Sequence, residues 1–171
     1  MHARLSRVAG MVSARALPYN RLKSHLRQVR PMPDDQDPLA WRPRKAPSLV
    51  EFEVLAADVY ARLPQKFRAL CEGLVIRVED FPTDEVLDEM AIDSEFGLLG
   101  LFQGVGLPFR FDSAPTQMPN MIWLYRRPIL DYWAEHDETL GTIVAHVLVH
   151  EIGHHFGLSD DDMEAIEQAA G

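Results

Sequence analysis

The stretch His150-Glu-Ile-Gly-His-His-Phe-Gly-Leu-Ser-Asp160 decides how the rest of the chain is read. His150 and His154 lie four apart, and on a helix of 3.6 residues per turn that spacing stacks two imidazoles on one face, within reach of a single metal ion. Glu151 stands beside them, placed to reach a metal-bound water as general base rather than to ligate in its neighbour's geometry. Gly157 permits a sharp reversal with a left-handed backbone, and that turn can swing Asp160 back as a third ligand. The spacing His-Glu-x-x-His-x-x-Gly-x-x-Asp is expected to bind Zn2+ through His150, His154 and Asp160, with Glu151 catalytic.

The flanking residues support a helix. Leu140, Ile143, Val144, Val147 and Leu148 are apolar at helical spacing, and Ile143, Val147, His150 and His154 keep to one stripe. Asp137 suits the N-cap and Gly157 the stop, so the helix is expected from about Glu138 to Phe156. A buried helix with satisfied core histidines is the plainer reading; the added Gly157 and Asp160 weigh against it. Asp160 has a rival role, because Asp160-Asp-Asp162 at a helix start is commonly a cap with an acidic first turn. The two roles can be divided if Ser159 caps. Glu164 and Glu167 are the other carboxylates within reach and rank below Asp160. His146, one turn before His150, is expected to pack or hydrogen-bond, and His155, about 100° round the helix from His154, to face away from the metal.

Three segments resemble a known family. Leu98-Leu-Gly-Leu-Phe-Gln-Gly104, Leu124-Tyr-Arg-Arg-Pro-Ile-Leu130 and the motif itself look like the small bacterial zincin-like metallopeptidases called minimal zincins, over about Leu49 to Met163. The resemblance implies a compact α+β fold, with a long active-site helix packed on a small sheet of about three strands. It maps metal binding to His150 and His154 and catalysis to Glu151, with Asp160 in the third-ligand place. The larger metzincin class departs from this chain, having a third His where Asp160 stands and a later methionine turn to which Met163 is not assigned. In the zincin arrangement an edge strand pairs with an extended peptide. Leu98, Leu99, Gly100, Leu101 and Phe102 are assigned to that edge, with Gly97, Gly100 and Gly104 letting a second backbone approach.

Charge divides the chain. Residues 1–45 hold 10 Lys plus Arg against 3 acids, and residues 46–171 hold 7 against 23. The net charges are therefore +7 and −16, which sum to the overall −9. Residues 1–46 are basic and then Pro-rich, and are expected to be a disordered tail of the kind seen in transit segments or basic arms. Residues 47–171 are expected to be the folded domain, which the chain's 47% hydrophobic content can furnish with a core. Its acidity argues against nucleic acid as a partner of the domain. No run approaches the eighteen or so apolar residues of a membrane span. Cys71 is the sole cysteine, so no intramolecular disulfide exists, and a cytoplasmic location is expected. It is expected to pack in the core.

The remaining elements follow from periodicity and caps. A helix is expected over Leu49 to Leu63, ending before Pro64, and strands over Leu74 to Val78, Leu98 to Phe102 and Met121 to Tyr125. Thr83 can cap a short helix through Met90, and Pro128 open another toward Trp133. The function these features point to is zinc-dependent hydrolysis of a peptide or protein substrate. The alternative is a metal-binding or degenerate interaction module, which has no need of a carboxylate at Glu151. Tyr125, Arg126, Arg127 and Tyr132 are open as oxyanion donors.

Overall fold

Ser48 starts the first helix by a reciprocal cap. In the computed structural model, which describes residues 13–18, 42–106 and 119–162, its Oγ accepts from the Glu51 amide at 3.3 Å, and Glu51 Oε2 accepts from the Ser48 amide at 2.7 Å. Helix α1 (Leu49–Arg62) buries Phe52 and Ala56, one turn apart on one face. It stops where expected because Leu63, preceding Pro64, is extended. A short helix α2 (Gln65–Leu70), which the periodicity did not suggest, leads to strand β2 (Val75–Glu79). Helix α3 (Asp84–Met90), with Thr83 at its N-cap, and a 3-10 turn (Glu95–Gly97) precede strand β3 (Leu98–Gly104). Strand β4 (Met121–Tyr125) runs straight into α4 (Arg126–Glu135), and α5 (Leu140–His155) carries the motif.

The fold is α+β, as expected, and three strands of the sheet are those the sequence indicates. A fourth is added. Strand β1 (Ser13–Pro18), from the segment placed outside the domain, gives the sheet order β1-β3-β4-β2. β1 and β4 are antiparallel to β3, while β2 runs parallel to β4. The expectation of an edge at Leu98–Phe102 is therefore corrected: β3 is interior, with β1 paired on one side and β4 on the other. The pairing of β1 is non-local, and Ser-Ala-Arg-Ala carries little β propensity to announce it. The remaining expectations for residues 1–41 lie outside the described residues.

One face of the sheet packs on α5. Leu99, Phe102, Ile122 and Leu124 meet Ile143, Val144, Val147 and Leu148, with Phe52 and Ala56 of α1 closing the layer. Each such fully buried side chain is worth about 1.5–3 kcal/mol. Leu98, Leu101 and Tyr125 form a smaller cluster covered by Val86, Met90, Ile92 and Trp123. The start of α5 also differs from expectation. Thr139, not Asp137, caps it, its Oγ1 accepting from the Thr142 amide at 3.2 Å. Either side chain can cap; the chain turns helical only at Leu140.

α5 lies close against the sheet at Gly100. A Cβ there would stand 2.7 Å from Val147 Cγ1 and 3.0 Å from Glu151 Oε1. Gly100→Ala is therefore expected to cost about 1–3 kcal/mol by overpacking. Urea denaturation of the variant against wild type measures it.

Candidate metal centre

α5 ends in a turn that aims the site. Phe156 is the C-cap, Gly157 takes φ 86°, and the Leu158 amide donates to the Gly153 carbonyl at 3.1 Å while the Gly157 amide donates to His154 at 2.9 Å. That is the Schellman arrangement, and its left-handed position favours glycine. The chain reverses over it. Ser159 then caps the next helical turn: its Oγ accepts from the Asp162 amide at 3.1 Å, and Asp162 Oδ2 accepts from the Ser159 amide at 2.8 Å. Ser159 and Asp162 thus divide the capping work, and Asp160 points back to α5. Its Oδ1 lies 3.4 Å from His150 Nε2 and 3.2 Å from His154 Nε2.

His150, His154 and Asp160 offer ligand atoms that all lie within 4.8 Å of one another, so this trio could hold a metal ion. The first two are buried and Asp160 is partly open to solvent. The His154 Nδ1–H donates to the Leu158 carbonyl at 3.0 Å, which leaves the Nε2 lone pair for an electrophile. Burial holds the His150 imidazole down at about 4, with His154 and His146 opposing its protonation and Asp160 favouring it. At neutral pH it is a neutral donor. Glu151 is fully buried on the same helix, its Oε1 3.0 Å from where a Cβ on Gly100 would stand. Glu164 and Glu167 lie outside the described residues, and so does Met163. His146 is half-buried and does not join the trio.

The four side chains open as oxyanion donors separate. Arg126 binds Asp80 through Nε at 2.7 Å and the Pro47 carbonyl through Nη1 at 2.8 Å. Arg127 lies over the Phe81 ring, and Tyr132 stacks on His136 at 3.8 Å. Tyr125 feels the Glu151 charge. Burial chiefly, then the Glu151 and Glu79 carboxylates, push its phenol up, so it stays a neutral O–H.

The Zincin-like metallopeptidase family matches residues 71–170, more than half of the chain. The chain belongs to this family. No curated protein matches it. The zincin-like protein also has no helix, among its described residues, long and apolar enough to cross a membrane.

A clamp on the motif helix escaped the sequence reading. His155 is fully buried and faces away from the trio, as its rotation predicts. Asn120 Nδ2 donates to His155 Nδ1 at 3.0 Å and to the Val105 carbonyl at 2.8 Å, and Asn120 Oδ1 accepts from the Val105 amide at 3.0 Å. The His155 Nε2–H then donates to the Leu70 carbonyl at 3.2 Å. Asn120 ties the ends of two strands to the end of α5, and it brings Gly106 against Gly157, where a Cβ on Gly106 would lie 3.3 Å from the Gly157 α-carbon. In sequence, Pro119-Asn120 reads only as a turn. Buried groups stripped of a partner cost about 1–3 kcal/mol each. Asn120→Ala is expected to lose at least about 2 kcal/mol in urea denaturation, with faster amide exchange at Val105 and Gly106.

Proposed function

We propose that this zincin-like protein is a zinc-dependent peptidase in which His150, His154 and Asp160 hold Zn2+ and Glu151 is the general base. The spacing of the donor atoms is the main support. Asp160 Oδ1 stands 3.4 and 3.2 Å from the two imidazole nitrogens, and the donor atoms of all three residues lie within 4.8 Å of one another, close enough that one cation would be held by all of them. Two imidazoles and a carboxylate are donors that zinc accepts, and three of them leave a position for substrate chemistry. When bound, the ion supplies Lewis acidity, acidifying a water and drawing electron density from a peptide carbonyl. Glu151 takes the proton of the water as its oxygen bonds to the carbonyl carbon, and passes it to the amine nitrogen as the C–N bond breaks. The products are one carboxylic acid and one amine.

The substrate is a peptide or protein segment, in keeping with the family. The net of −16 over residues 46–171 turns nucleic acids away from the domain. A sole cysteine, buried and unpaired in a disulfide, fits a cytoplasmic setting.

Metal analysis after dialysis, combined with hydrolysis of a quenched peptide library, tests the reading. His150→Ala, His154→Ala and Asp160→Ala are expected to lose stoichiometric zinc, whereas Asp161→Ala and Glu164→Ala retain it. Glu151→Gln is expected to keep zinc and to hydrolyse about 10²–10⁴-fold more slowly. Full zinc occupancy in Asp160→Ala would return that residue to the helix turn and remove it from the site.

A further inference from the structure

The strand beside the candidate site is taken by the chain's own N-terminal segment. β1 pairs antiparallel with β3 in the register Ser13 to Gly104, Ala14 to Gln103, Arg15 to Phe102, Ala16 to Leu101 and Leu17 to Gly100, with an irregularity before Pro18 meets Leu98. Gly100 is the residue on which a Cβ would stand 3.0 Å from the Glu151 carboxylate. Paired backbones stand about 4.8 Å apart, so the backbone of β1 near Leu17 runs past the motif, and its contacts extend to α5. Among the described residues no other element pairs on that side of β3. The chain therefore already contains, at this edge, the strand addition by which an extended peptide would bind.

We propose that Ser13–Pro18 is a built-in occupant of the peptide-binding edge, which must leave β3 before a substrate strand can pair there. This rests on the peptidase reading for its consequence, though not for the pairing itself. Two further observations favour this occupant. Residues 1–45 carry +7 and residues 46–171 carry −16, so the segment is drawn to the domain it caps. It is also tethered, and a tether supplies an effective concentration on the order of mM, so a short strand of modest propensity suffices. Pro18 ends the pairing because it has no N–H to donate. A foreign peptide must outcompete both the tether and the charge, which keeps the uncommitted enzyme closed.

Full-length Arg15→Pro/Ala16→Pro protein tests this. Successive N–H groups on a strand point to opposite sides, so one of two adjacent prolines must remove a ladder bond to β3. Three readouts are compared with wild type. Amide exchange over Leu98–Gly104 should be slow in wild type and at least tenfold faster in the variant. A labelled peptide of residues 10–21 should bind the variant and not the wild type, and more weakly as salt rises. The zinc-loaded variant should hydrolyse quenched peptides at least tenfold faster, and the added peptide should slow it. If wild-type Leu98–Gly104 amides on the β1 side exchange as fast as unpaired ones, the proposal is overturned whether or not the variant folds. It is equally overturned if the folded variant takes up no peptide and hydrolyses no faster than an active wild type. If exchange and peptide uptake differ as expected but neither protein hydrolyses anything, the occupancy stands and the peptidase reading falls.

Discussion

Close packing of α5 on β3 is the constraint from which the rest follows. The helix must bury Ile143, Val144, Val147 and Leu148 in the sheet while holding His150, Glu151 and His154 at its far end. Both demands are met by one geometry because Gly100 has no side chain. The same missing Cβ that lets Val147 touch the strand lets the Glu151 carboxylate lie against it. α1 then closes the layer from outside with Phe52 and Ala56. At the end of this layer two buried imidazoles and the buried Glu151 meet the partly exposed Asp160, and burial there suppresses protonation of His150.

The trio His150, His154 and Asp160 was legible as a candidate because its residues are local. Helical spacing fixes where His150, Glu151 and His154 stand relative to one another, and a single glycine decides where Asp160 returns. The competing role of Asp160 as a cap could not be settled from the run of three aspartates, since any of them can cap in principle. The reciprocal bonds of Ser159 and Asp162 account for the capping without Asp160. Boundaries set by strong local signals, such as Pro64 after α1 or Thr83 before α3, fell where expected. The start of α5 did not, because Asp137 and Thr139 have equal chemical claims to the cap.

What escaped the sequence is what depends on distant partners. β1 meets β3 across about half of the chain, and neither its composition nor its periodicity marks it as a strand. Asn120 looks like a turn residue until Val105 and His155 are beside it. The edge assigned to Leu98–Phe102 rested on the zincin resemblance and on Gly97, Gly100 and Gly104, none of which foretells a strand arriving from far away in the chain.

The turn at Gly157 joins two events that are usually separate. The carbonyl that follows it, on Leu158, receives the His154 Nδ1–H, while the Leu158 amide closes the end of the helix. Helix termination and the choice of imidazole tautomer are thus one local state. An ion held by His154 would sense every fraying of that last turn, since opening it frees the ring to rotate or change tautomer. The lifetime of a bound metal would then be set by the local unfolding of a few residues, and not by the stability of the whole domain.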